Sequence, residues 1–143
     1  MKTRFWFLFY NLFFLPIFYF VINFFALYMP NIKESIERRK KLWERLEEKV
    51  ANRNWKKPLV WFHVASAGEF LQAQPVINRC AMEGVECILT YSSINAFRWL
   101  KNPINSKVPE LLTTEFLPYD TIWNARRLLG LLQPSRLVWI SYD

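Results

Sequence analysis

Glu69 is the carboxylate with the clearest catalytic potential in this sequence. It follows an apolar run, Pro58 to Val64 (PLVWFHV), that ends in the small residues Ala65, Ser66, Ala67 and Gly68 and passes into a helical pattern. In open α/β sheets ligands bind in the crevice beyond the C-terminal ends of the strands, so a carboxylate just past a strand lies at its mouth. There it can take a proton from a hydroxyl group. A glutamate of ordinary pKa, about 4.3, is a weak base for an alcohol, so this role calls for partly apolar surroundings such as Phe62 and Phe70. The same carboxylate can instead complement the helix dipole and cap free N–H groups, a common duty at helix starts.

Five further candidate residues accompany it. Ser66 and Gly68 shape the turn, Gly68 either by a positive φ or by letting a backbone approach closely. His63, the sole histidine, packs at the strand end and bonds the turn, or touches a ligand. Ser92 and Ser93 end a second apolar run facing the same crevice, where they bind ligand hydroxyls or serve as turn and N-cap residues. No Gly-x-Ser-x-Gly elbow surrounds Ser66, which argues against a serine hydrolase. Glycine occurs only at 68, 84 and 130, so there is no dinucleotide fingerprint and no P-loop. One histidine and scattered carboxylates offer no zinc cluster. Neither a metal nor a cofactor is expected.

The pattern that positions these residues alternates strand and helix. Strands are predicted at 59–64, 85–91, 115–118 and 136–142, and helices at 69–82, 94–101 and 121–132. Gly84 ends the first of these helices, and Thr121 or Asp120 caps the last. Residues 102–114 read as a loop with two prolines. Such alternation implies α/β architecture, a Rossmann-like parallel sheet. Ahead of it, Ile36, Leu42, Trp43, Leu46 and Val50 recur at helical spacing among charges, which predicts one amphipathic helix over 32–52. Polar residues 52–57 then form a linker. The expected organisation is 1–32 as a membrane anchor, 33–57 as a basic amphipathic helix and linker, and 58–143 as the sheet-containing part.

Composition supports the anchor. Of 143 residues 52% are hydrophobic, and none from Phe5 to Ile32 is charged. About 20 apolar residues suffice to span the hydrocarbon core as a helix. Asn11, Pro16 and Asn23 weaken such a helix, so a kinked or interfacial one is the alternative. Trp6, Tyr10, Tyr19 and Tyr28 suit the headgroup level. Lys and Arg concentrate after the apolar run, which by the positive-inside bias puts the rest in the cytoplasm. Cys80 and Cys87 form no disulfide framework or Cys-x-x-Cys motif and fit buried reduced thiols. The formal charge is +7, but the basic cluster Arg38, Arg39, Lys40 and Lys41 lies just past the apolar helix. Anionic lipid is therefore a nearer partner than nucleic acid, with a topology signal on a solvated helix face as the plainer explanation.

The run WFHVASAGEF (61–70) resembles the signature of the 3-deoxy-D-manno-octulosonic acid (Kdo) transferases of Gram-negative bacteria, an aromatic strand followed by His, small residues and Ser-x-Gly-Glu. Leu89 to Ser93 resembles that family's second strand and hydroxyl-rich turn. Phe116 to Asp120, the helical Asn124 to Leu129 and Gln133 to Ile140 resemble its Leu-Pro-Tyr-Asp element, its Arg-bearing helix and its next strand. The resemblance implies the acceptor-side, N-terminal half of a GT-B glycosyltransferase, with Glu69 as general base, CMP-Kdo as donor and a lipid A precursor at the inner membrane as acceptor. It also implies that the chain alone does not transfer Kdo, because the nucleotide-binding half is not in this sequence. The alternative is a non-catalytic, membrane-anchored lipid-binding or assembly protein.

Overall fold

The computed structural model describes residues 2–102, 111 and 113–141. Of the expected loop over 102–114, residues 103–110 and 112 fall outside them, and 113–114 belong to a strand instead. The chain divides into two compact units, up to Glu37 and from Arg38 onward.

In the first unit, α1 (Lys2–Phe9), a π-helical turn (Tyr10–Phe14) and α2 (Leu15–Ala26) follow one another. Pro16 has no N–H to offer the carbonyl four residues back, and the helix widens to i+5 bonding just ahead of it, with Leu15 N–H donating to Tyr10 O. The two amides are satisfied locally. Asn11 Nδ2 donates to Phe7 O at 2.8 Å and Asn23 Nδ2 to Tyr19 O at 2.7 Å. The helical stretch Phe5–Ala26 is long and apolar enough to cross a membrane.

Residues 32–52 do not form one helix. Instead α3 (Pro30–Lys40) and α4 (Leu42–Ala51) meet at Lys41, whose φ of −105° and ψ of 20° leave the helical region. Tertiary bonding explains the break. Arg45 Nη2 donates to Arg38 O at 2.7 Å, satisfying a carbonyl of the last turn of α3, and Arg39 Nε donates to Leu117 O at 3.0 Å. The break also lets Leu42, Leu46 and Val50 be buried.

Four strands follow: β1 (Leu59–Val64), β2 (Glu86–Tyr91), β3 (Thr113–Phe116) and β4 (Arg136–Trp139). Between them lie α5 (Ala67–Met82), α6 (Ile94–Lys101) and α7 (Ile122–Leu132). All pairings are parallel, in the order β3-β2-β1-β4. Both faces of β1 are covered, which is why LVWFHV is almost continuously apolar. Val60, Phe62 and Val64 join Leu89 and Tyr91 in a core with Phe70, Ala73 and Ile77 of α5 and Ala96, Phe97 and Leu100 of α6. Leu59, Trp61 and Ile88 join Leu42, Leu46 and Val50 of α4 and Leu128 and Leu132 of α7.

Helix ends follow the expected chemistry. Gly84, with φ 72°, ends α5: its N–H donates to Ala81 O and that of Val85 to Cys80 O, a Schellman motif. Thr121 Oγ1 caps α7 by accepting Asn124 N–H at 3.0 Å. The expected linker, however, contains a buried tie. Arg53 donates to Leu132 O at 2.6 Å and to Lys57 O at 3.3 Å, with its Nε 3.3 Å from Glu86 Oε2.

Candidate active site at the end of the sheet

β1 lies between β2 and β4, so the chain leaves it to one side through α5 and returns to its other side as β4. Strand order reverses there, and the crevice beyond the ends of β1 and β4 is where ligands settle on open parallel sheets. Residues 65–69 run from the end of β1 across that position.

Ser66 is extended (φ −134°, ψ 167°) and is the N-cap of α5, its Oγ accepting Glu69 N–H at 3.2 Å. Glu69 reciprocates, its Oε2 accepting the N–H of Ala65. This is a capping box displaced by one residue, and it orients the carboxylate. Glu69 is 8% exposed, and Phe62 and Phe70 are fully buried. Its Oε1 accepts no hydrogen bond from the described residues. The helix-start role of this glutamate is thus realised, while one oxygen stays uncommitted.

Gly68 does not supply a positive φ. It occupies the first turn of α5, and the only glycine with positive φ among the described residues is Gly84. The Ser66 cap makes a left-handed residue unnecessary, because it carries the chain from extended into helical geometry by itself. Ser93 likewise acts as an N-cap, its Oγ accepting Ala96 N–H at 3.0 Å at the start of α6.

His63 and Ser92 are brought together. His63 Nε2 lies 3.2 Å from Ser92 Oγ, and its Nδ1 lies 2.9 Å from Thr90 Oγ1, which accepts Trp61 Nε1–H at 2.8 Å. The imidazole packs edge-on against Trp139, with ring centroids 4.5 Å apart. Burial holds the His63 pKa below its ordinary value, opposed by the negative charge of Glu69 and by the imidazole's interaction with the Thr90 backbone, which accepts from a ring N–H. Parallel register aligns Glu115, Thr90, His63 and Trp139 in one row across the four strands. At the β3 end of this row Arg45 makes a two-pronged bond to Glu115 at 2.6 and 2.8 Å. Sequence reading passed over Trp61, Thr90, Glu115, Arg45 and Trp139. The signal available was a polar residue inside each of two apolar strands, and only strand register shows that they are neighbours.

A family profile described as 3-deoxy-D-manno-octulosonic-acid transferase (kdotransferase) matches residues 37–143. The chain belongs to the Kdo transferase family. Its match covers the sheet, the crevice and Glu69. An Arabidopsis thaliana protein described as a probable mitochondrial 3-deoxy-D-manno-octulosonic acid transferase is 32% identical over 82 residues, 56% of this chain and 17% of the relative. The 3-deoxy-D-manno-octulosonic acid transferase of Rickettsia prowazekii (strain Madrid E) is 30% identical over 93 residues, 64% of this chain and 19% of that protein. The chain therefore spans less than a fifth of the length of these Kdo transferase relatives. No solved structure matches it.

The basic cluster just inside the matched Kdo transferase region is not a single patch. The Arg38 guanidinium lies over the Phe97 ring at 4.0 Å, and that of Arg39 over Phe116 at 4.5 Å and Tyr119 at 4.9 Å. Lys40 and Lys41 are exposed.

Proposed function

We propose that this chain supplies the acceptor-binding side of a Kdo transferase, with Glu69 as the general base. The observation that carries the reading is the position of Glu69, oriented by its cap in the first turn of the helix after β1, where strand order reverses, within the stretch matched to the family. The acceptor is a lipid A precursor and the donor CMP-Kdo. Oε1 of Glu69 takes the proton of the acceptor hydroxyl while Oε2 stays on Ala65 N–H. The alcohol oxygen bonds to the anomeric carbon as the bond from that carbon to the CMP phosphate oxygen breaks, and CMP leaves with the electron pair. Ser66, Gly68, Ser92 and Ser93 surround the acceptor, with His63 behind Ser92. The apolar helix holds the protein to the inner membrane with the sheet on the cytoplasmic side, where a lipid acceptor is at hand.

The test is Kdo transfer from CMP-Kdo to a lipid A precursor, by the chain in detergent, alone and together with the separately expressed remainder of a relative. Glu69→Gln retains an oxygen to accept Ala65 N–H, so it removes the base and keeps the cap. In whichever sample transfers Kdo, this variant is expected to lose about 10²–10⁴ in kcat, the usual range for a general base. Full activity in Glu69→Gln would overturn the assignment. No transfer in either sample, with the precursor still bound, would overturn the transferase reading in favour of a binding role.

A further inference from the structure

Four side chains, Trp61, Thr90, His63 and Ser92, form a hydrogen-bonded chain towards the end of β2 whose directions turn on which ring nitrogen of His63 carries the hydrogen. Trp61 Nε1–H can only donate, so at 2.8 Å it takes one lone pair of Thr90 Oγ1. Thr90 then has one proton to place, and two acceptors are near it. His63 Nδ1 is at 2.9 Å, whereas Phe62 O is at 3.4 Å, beyond the usual O–H···O range. We place that proton on Nδ1, the nearer of the two acceptors. A neutral imidazole that accepts at Nδ1 carries its own hydrogen on Nε2. That hydrogen points at Ser92 Oγ, 3.2 Å away. Ser92 Oγ is thereby an acceptor towards the protein, and its hydroxyl hydrogen is left for the crevice.

We infer that Trp61, Thr90 and His63 form a one-way hydrogen-bond relay that fixes Ser92 as a donor to an acceptor oxygen of the bound sugar. Three of the four members are buried: Trp61 at 8%, His63 at 2% and Thr90 at 1% exposed, while Ser92 stands exposed at the end of β2. An interior chain of satisfied polar groups leading to one surface hydroxyl sets the direction of that hydroxyl, which a serine in water does not have. The inference rests on the acceptor-side reading above for the identity of the ligand, but not for the relay. His63 and Thr90 are positioning residues here, since they reach the ligand only through Ser92. The Trp139 ring against the imidazole holds its plane.

His63 is the only histidine of the chain, so an untagged, ¹⁵N-labelled sample in detergent micelles gives one pair of ring nitrogen signals. The expected spectrum at pH 8 is that of the Nε2–H tautomer, in the wild type and in Thr90→Ser, which keeps the hydroxyl. Thr90→Val is expected to lose that preference. Titration with the lipid A disaccharide precursor should then show affinity reduced about three- to tenfold by Ser92→Ala, the size of one neutral hydrogen bond. Thr90→Val should weaken binding by a similar factor, Thr90→Ser should restore it, and the double variant should be no weaker than Ser92→Ala. An Nδ1–H tautomer in the wild type overturns the relay whatever the activity. The Nε2–H tautomer with unchanged affinity in Ser92→Ala overturns the ligand contact. Loss of Kdo transfer alone moves neither result, so failure of the relay and failure of the transferase reading are distinguishable.

Discussion

His63 lies between two hydroxyls and against an indole, and its burial gives its titration a definite sign. The groups facing it are Thr90, Ser92, Trp139 and the charge of Glu69. Burial dominates and lowers the folded pKa, so between that value and the unfolded one, about 6.5, the unfolded chain binds the proton more readily. Stability is therefore highest above about pH 6.5 and declines as the pH falls through the folded pKa. Thermal unfolding of the chain in detergent, followed by near-UV circular dichroism at pH 7.5 and 5.0, should show a larger acid-induced drop in Tm for the wild type than for His63→Gln. An equal drop in both would remove His63 from the acid response. At this scale the sequence showed which residues lie at the end of β1, because Ser-x-Gly-Glu directly follows the apolar run that ends in His63 and Val64. It left Glu69 and Ser93 each with two roles. The structure shows that the capping role is real for both, and for Glu69 it engages only Oε2 among the described residues.

Arg53 shows what element-scale reading loses. The strands and helices were legible because buried parallel strands are continuously apolar and helices carry caps: β1 and α6 lie where predicted, and α7 starts after Thr121. The helix after β1 begins at Ala67, two residues before Glu69, because Ser66 caps it. Residues 52–57 read as a polar linker, since a lone arginine among polar neighbours has no periodicity to reveal burial. In the fold Arg53 is 8% exposed and joins the end of α4 to the end of α7 through Leu132 O and to the start of β2 through Glu86. Leu132 is the last residue of α7, so the guanidinium satisfies a carbonyl that the helix cannot. The single helix predicted over 32–52 failed for a related reason: Arg45 and Arg39 bond to partners about 70 or more residues away, which no local pattern encodes. Arg53→Ala leaves the Leu132 carbonyl and a largely buried Glu86 carboxylate without this partner. It should cost about 2–3 kcal/mol. Arg53→Lys should recover only part, because an ammonium cannot reach three acceptors in the fork geometry of a guanidinium. Urea unfolding of the three proteins measures both effects, and equal stability of Arg53→Ala and the wild type would show the tie to be inert.

For the whole molecule the question is whether the apolar helix attaches it to a membrane, and what the basic cluster would add. The helical stretch Phe5–Ala26 has 22 residues, about 33 Å at 1.5 Å per residue, against about 30 Å of hydrocarbon. Its amides bond back to their own helix, which lowers the cost of burying them in lipid. At an anionic surface the basic cluster is expected to contribute less than its four charges suggest. Arg38 and Arg39 are spread over aromatic rings of the sheet-containing unit, where each contact is worth about 1 kcal/mol to the fold. Lys40 and Lys41 are exposed and would each add about 1 kcal/mol beside an anionic surface. These two pairs should therefore separate experimentally. Carbonate washing of membranes is expected to retain the full chain and release one lacking residues 2–26, since peripheral charge does not survive high pH. On vesicles rich in anionic lipid, Lys40→Glu with Lys41→Glu should weaken binding of the shortened chain at low salt. Arg38→Ala with Arg39→Ala should instead lower Tm and leave more of the vesicle affinity intact. The opposite pattern, with the arginine pair governing lipid affinity and leaving Tm unchanged, would mean that those guanidiniums leave their rings for lipid at the membrane, and the cluster would then act as one patch after all.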